Sequence, residues 1–222
     1  MIRPQFSKGS WRSRFVEGVA PVYTEERGYY IDRGGAKVID VGASLVQPFS
    51  EGLAGVEIKK KWGFVDTEGN LVIPPKLKYV EPFSEGLAEV GKTSYTKAGF
   101  INQQGEIVIK PTYYQVSRFS DGLAGASPDV GEGWGVIDRT GEWVFEPRFS
   151  HIYPFSEGLA AASKRRYGFI NPRGEWVIEP RFRTAEPFCD GLAKVTGRWA
   201  DANRMSYIDH EGNFLWEPTT KI

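Results

Sequence analysis

Lys61-Trp62-Gly63-Phe64-Val65-Asp66-Thr67-Glu68-Gly69-Asn70-Leu71-Val72-Ile73-Pro74-Pro75, followed shortly by Phe83-Ser84-Glu85-Gly86-Leu87-Ala88, is the stretch that decides the fold. Two short apolar runs, Phe64-Val65 and Val72-Ile73, flank Asp66-Thr67-Glu68-Gly69. Asp at the first place of a four-residue turn can bond its own backbone, and Gly at the fourth suits a type I turn. The equivalent Asn171-Pro172-Arg173-Gly174 puts Pro at the second place, where its fixed φ fits. The two runs are therefore predicted to be strands of one hairpin, and Leu87-Ala88-Glu89-Val90 a third strand.

The same pattern fills the chain. The Phe-Ser-Glu-Gly-Leu-Ala block recurs six times, at residues 15–20, 49–54, 83–88, 119–124, 155–160 and 188–193. Its alanine (Ala20, Ala54, Ala88, Ala124, Ala160, Ala193) never changes, which predicts the close approach of a neighbouring strand or repeat. The Trp-Gly block is clear at Trp134-Gly135-Val136-Ile137-Asp138 and looser at Tyr167-Gly168-Phe169-Ile170-Asn171. A closing Ile-x-Pro follows, as in Val177-Ile178-Glu179-Pro180. The links between units place apolar residues three apart (Leu77, Val80, Phe83), which reads as a helical turn or irregular chain rather than a regular strand. The whole of 1–222 reads as one all-β domain of six tandem β-meander repeats, about 35 residues each: 1–41, 42–75, 76–111, 112–147, 148–180 and 181–222. Ordering one such unit costs more than its few core side chains return, so neighbours must share cores. An open twisted solenoid is expected, with a closed propeller-like ring as the alternative.

Lys61-Trp62-Gly63-Phe64-Val65-Asp66 together with Phe83-Ser84-Glu85-Gly86-Leu87-Ala88 resembles the pattern of the bacterial WG-repeat (KWG-type) β-repeat proteins. The resemblance covers nearly the whole chain. It implies a β-rich repeat and an interaction role, and it carries no catalytic residues. The end copies depart from it: Tyr29 and Ser206 replace the motif glycine, and Val41 replaces the closing proline.

Lys plus Arg number 28 and Asp plus Glu 28, so no bulk attraction draws the chain to nucleic acid or an anionic membrane. The lone Cys189 allows no internal disulfide. No apolar run approaches a membrane span, and no signal-like segment follows Met1. A cytoplasmic setting is the expectation; a secreted or periplasmic protein whose signal peptide is absent from the sequence would read the same.

Function is sought where length varies. From motif glycine to turn glycine, as from Gly63 to Gly69, the step is six residues in every copy. From the Glu-Gly block to the Trp-Gly block it runs 11, 11, 13, 13, 10 and 15. Variable loops in a repeat array share one edge, often the binding edge. These loops carry Arg27, Lys59, Lys60, Lys61, Lys92, Lys97, Lys164, Arg165, Arg166, Arg198 and Arg204, with Tyr95 and Trp199 as aromatic anchors. The expected function is a non-enzymatic binding scaffold for another protein, within a larger complex. A glycan or cell-envelope ligand is the alternative.

No catalytic, cofactor or metal site is expected. The repeated carboxylates Glu17, Glu51, Glu85, Asp121, Glu157 and Asp190 occur once per unit in a turn, which suits turn capping or a local salt bridge rather than paired acid–base chemistry. The Asp/Asn-x-x-Gly turns lack the alternating oxygen ligands of a calcium loop. His151 and His210 have no zinc-ligand spacing. Cys189 stands where other copies have Ser or Val, so it reads as packing, and Trp62 and Trp134 read as core.

Overall fold

The computed structural model describes residues 14–25, 27–91, 97–197 and 205–215. Every regular element among them is a β-strand, and the strands form six antiparallel sheets, none closed into a barrel. The chain divides into two compact units, residues 1–112 and 113–222.

The second sheet shows the plan. Its strands Leu45–Val46, Leu53–Ile58, Lys61–Asp66 and Leu71–Leu77 lie side by side in sequence order. Such four-stranded meanders are the blades of β-propellers. Three more sheets repeat it: Tyr79 to Tyr113, Gln115 to Phe149, and His151 to Phe182. The first sheet (Val19–Tyr23, Gly28–Asp32, Lys37–Ile39) and the last (Thr184–Ala185, Ala193–Thr196, Met205–Ile208) have three strands.

The predicted hairpin is present, with Phe64 opposite Ile73 and Val65 opposite Leu71. Asp66 organises its turn: its carboxylate accepts from the Glu68 and Asn70 amides, and its carbonyl from Gly69 N–H. The links differ from the sequence reading. Tyr79–Val80 is a short strand paired with Val90 and Gly91, so the link is the first strand of the next sheet. The link strands are two residues long whether Pro82 or Arg118 follows, too short to show alternation.

The motif glycine and the closing proline form one device. The outer strand Leu71–Leu77 slips register between Trp62 and Phe64 and arches over Gly63. A Cβ on Gly63 would lie 2.8 Å from the Pro75 nitrogen and closer still to the Ile73 carbonyl oxygen. Gly168 sits under Pro180 in the same way. Proline suits the arch because its nitrogen has no proton to leave unpaired. Where Tyr29 replaces the glycine and Val41 the proline, the outer strand stops at Ile39. The first repeat departs from the family pattern and from the arch together.

Cores lie between sheets, not within repeats. On strand Lys61–Asp66, Phe64 and Val65 face opposite ways, as neighbours on a strand must. Val65 packs with Tyr30, Ile39 and Phe49 of the preceding interface, and Phe64 with Val80, Phe83 and Ile101 of the following one. The second unit repeats this, with Phe169 against Phe188 at 4.8 Å between ring centres, matching Phe64 against Phe83. The recurring alanines are buried in these seams, Ala54 at 1% and Ala160 at 0% exposure.

The repeated carboxylates cap turns, but not their own. Glu51 accepts from the Glu85 amide at 2.5 Å and the Gly86 amide at 2.8 Å, one repeat onward. Glu17 reaches Gly52, Asp121 reaches Gly158, and Glu157 reaches Gly191. The adjacent serine adds a second bond: Ser50 Oγ donates to the Phe83 carbonyl and Ser156 Oγ to that of Phe188, each at 2.7 Å.

These contacts separate two kinds of glycine. Gly52 has φ +79° with open space where a Cβ would go, so Gly52→Ala costs only conformation, about 1 kcal/mol. Gly63→Ala forces the arch off the strand and is expected to cost about 2–4 kcal/mol. Urea melts of the two variants check the order.

Candidate functional site: the variable loop edge

In each sheet after the first the second strand runs into the variable loop and the third returns from it to the Asp/Asn-x-x-Gly turn; in the first sheet Val19–Tyr23 and Gly28–Asp32 take these places. Within each unit the variable loops therefore cap one end of the strands, while the Asp/Asn-x-x-Gly and Glu-Gly turns occupy the other.

In the first unit Lys59 and Lys60 form the two-residue turn between Ile58 and Lys61, which pair across the hairpin. Both lysines are exposed, and both are left-handed, with φ +52° and +61°. Such turns favour Asn-Gly, and a residue with a Cβ costs about 1 kcal/mol or more at each place. Lys61 is half-buried at the foot of the turn. Arg27 stands in the corresponding loop of the first sheet, 3.4 Å from Asp40, whose carboxylate also takes Lys37 at 2.8 Å. The Lys37 hydrogen bond, assisted by the Arg27 charge, holds Asp40 below the usual carboxylate range. Lys97 is exposed where the third sheet's loop rejoins its strand.

In the second unit Lys164, Arg165 and Arg166 form one exposed bend between Ser163 and Tyr167. Lys164 lies 5.7 Å over the Phe149 ring, and Arg166 donates to the Gly197 carbonyl at 3.3 Å. Arg165 makes no such contact among the described residues. The structure thus gathers the sequence-predicted cations into two tight clusters, 59–61 and 164–166, with Arg27 partly neutralised. Lys92, Tyr95, Arg198, Trp199 and Arg204 lie outside the described residues.

The other sequence candidates fall into place. His210 stacks on Phe188 with ring centres 4.3 Å apart and lies 3.0 Å from Glu157, so it braces a repeat junction. His151 packs among Trp134, Tyr153 and Tyr167, and burial lowers its pKa below the usual imidazole value. Cys189 is exposed, not packed as expected. Trp62 and Trp134 are half-buried: each rests against a core yet keeps part of its surface at the loop end. Among the described residues no group of three or more His, Cys, Asp or Glu side chains could hold a metal ion. No helix there is long and apolar enough to cross a membrane.

The sequence reading missed one acidic pair. Glu81 and Glu89 are joined by the Glu81 N–H bonding the Glu89 carbonyl, and Tyr79 donates its hydroxyl to the Glu81 carboxylate. The sixth repeat puts the ion pair Glu186–Lys194, at 2.8 Å, in the same two places. Burial first, and the Glu81 charge second, push the Glu89 carboxyl up to about 7. Nothing in the repeat pattern distinguishes these two positions, so only comparison with the sixth copy could have shown them.

With this geometry in hand, the comparisons agree on class. The model of the WG containing repeat matches residues 30–62, 62–93, 99–127, 134–165 and 167–196. The chain belongs to the WG-repeat family. No curated relative matches the sequence. Among solved structures it is similar to a eukaryotic initiation factor (TM-score 0.56, 11% identity), covering 90% of this chain. The chain spans 62% of that protein's length. It is also similar to Kluyveromyces lactis Hsv2p (TM-score 0.53, 12% identity), covering 86% of this chain and 76% of the other. These neighbours are β-propeller-like, and the likeness concerns the fold alone.

The raised Glu89 pKa sets a pH dependence. The folded chain keeps a proton that the unfolded chain, near the ordinary 4.5, has lost. Stability therefore falls as pH rises from about 4.5 to about 7 and is level above that. Glu89→Gln is expected to match the parent at pH 4 and exceed it by about 2 kcal/mol at pH 8, read from denaturant melts at both pH values.

Proposed function

We propose that the chain is a non-enzymatic interaction module whose basic hairpin tips dock an acidic surface of another protein in a larger assembly. The observation that carries this reading is the turn at Lys59 and Lys60. Two exposed residues hold left-handed conformations that Asn-Gly would adopt without strain, and their side chains support no packing. Strain kept at an exposed tip, on residues of one charge, is a functional signature. Lys164, Arg165 and Arg166 present a second cluster of the same charge on the same kind of loop. The balanced net charge of the whole chain argues for local docking on acidic side chains rather than for nucleic acid. A cytoplasmic setting belongs to the proposal, since the exposed thiol of Cys189 is best kept reduced there.

The double variant Lys59→Asn, Lys60→Gly tests it, because stability and binding should move in opposite directions. Relief of the turn is expected to stabilise the fold by about 1–2 kcal/mol in chemical denaturation. Capture of acidic proteins on the immobilised chain at low salt is expected to drop at least severalfold, and the remaining binding to lose salt dependence. Unchanged capture by the better-folded variant would overturn the reading.

A further inference from the structure

The fourth sheet ends differently from its neighbours. Its variable loop, from Ser127 to Trp134, joins strands Ala124–Ser127 and Trp134–Ile137 and stands over the ends of all four strands. Gln115 pairs with Ser127 at one side of the sheet, and Trp134 with Phe149 at the other. Beneath the loop is a cleft of about 480 Å³, within the range of small-ligand sites. The second sheet closes the same end with the tight Lys59-Lys60 turn, so the cleft follows from the longer loop.

Its walls have a distinct chemistry. Trp134 and Tyr114 offer half-buried aromatic surface, and Phe149 lies at the base. The Gln115 carboxamide and the Glu132 carboxylate are exposed, and neither makes a side-chain hydrogen bond among the described residues. Arg148 also lines the cleft, with one nitrogen of its guanidinium held by the backbone. It donates to the Arg173 and Gly174 carbonyls at 3.0 and 2.9 Å and lies 4.7 Å over the Phe145 ring. Open to a ligand are an aromatic wall, a carboxamide and an unpaired negative charge.

We infer that this cleft is a binding site for a neutral saccharide. An indole beside a phenol suits the apolar C–H face of a sugar ring. A carboxylate and a carboxamide accept from and donate to adjacent hydroxyls, and charge-assisted bonds to a carboxylate are strong. Glu132 favours sugar hydroxyls, which donate to it, over a ligand carboxylate or phosphate, which it repels. A purely apolar ligand would strand Glu132 and Gln115 without water. The cleft borders the second basic bend, where Lys164 lies 5.7 Å over the Phe149 ring, but the saccharide inference does not depend on the protein-docking reading.

The test uses the whole chain and a panel of neutral mono- and disaccharides, with glucuronate and inorganic phosphate as anionic controls. Binding is followed by ¹H–¹⁵N NMR at the Trp134 indole N–H. At least one neutral saccharide is expected to shift that signal, with affinity falling about tenfold or more in Glu132→Gln and in Gln115→Ala. Both residues are exposed, so both variants are expected to keep the parent melting temperature, which separates lost binding from lost fold. Three results would each overturn the inference: no response to any neutral saccharide at millimolar concentration, a response to the anions alone, or binding that both variants leave unchanged.

Discussion

The step from Glu51 to the amides of Glu85 and Gly86 is the contact on which the array depends. Both turn residues are left-handed, Glu85 at φ +54° and Gly86 at φ +76°, and such a turn leaves successive N–H groups without partners in its own hairpin. The carboxylate of the preceding repeat satisfies them. A left-handed glutamate costs roughly 1–2 kcal/mol, and a charge-assisted hydrogen bond returns about as much or more. Glu51 therefore has two roles in two repeats: its backbone forms one turn and its side chain closes the next. Ser50 binding the Phe83 carbonyl, and Phe64 packing on Phe83, place the hydrophobic seam under the same step.

That arrangement explains what the sequence showed and what it hid. Strands, turns and glycines were legible because each follows from local chemistry: Asp66 closing its own turn, β-branched and aromatic runs on either side, an invariant alanine where sheets meet. The coupling of Gly63 to Pro75 was hidden, because the two residues are far apart in sequence and meet only when the outer strand arches back. The carboxylates were read as turn caps or local salt bridges, without the turn they cap, for the same reason. A single repeat contains both halves of the contact, but not the fact that they belong to different neighbours. The short first strand was misread because it holds two paired residues, too few to show alternation.

The candidate site was legible in part. Loop-length variation marked the one end of the strands where the loops differ, since the third-strand turn and the Glu-Gly turn are both locked in length by the seams they support. It did not reveal conformation. Lys59 and Lys60 look like ordinary solvated lysines until their backbone is seen to be left-handed. Nor did it reveal that Trp134, which its motif assigns to the core, keeps one side at the edge of a cleft.

The division of labour follows from the shared cores. Residues on either face of a strand answer to two different neighbours, so almost any change in a strand is felt at two seams. The Glu-Gly turn is bound to the repeat before it, and the Asp/Asn-x-x-Gly turn packs against the preceding outer strand, as Gly174 does on Phe145. The loop between the second and third strands carries no such bond repeated from unit to unit, only single ties such as Arg166 to the Gly197 carbonyl. It can lengthen by several residues, as from Ile58–Lys61 to Ser127–Trp134, while the strands on either side keep their partners. A fold that holds its other turns in place leaves this connection free to vary, and there this chain places its left-handed lysines, its second cationic bend and its cleft.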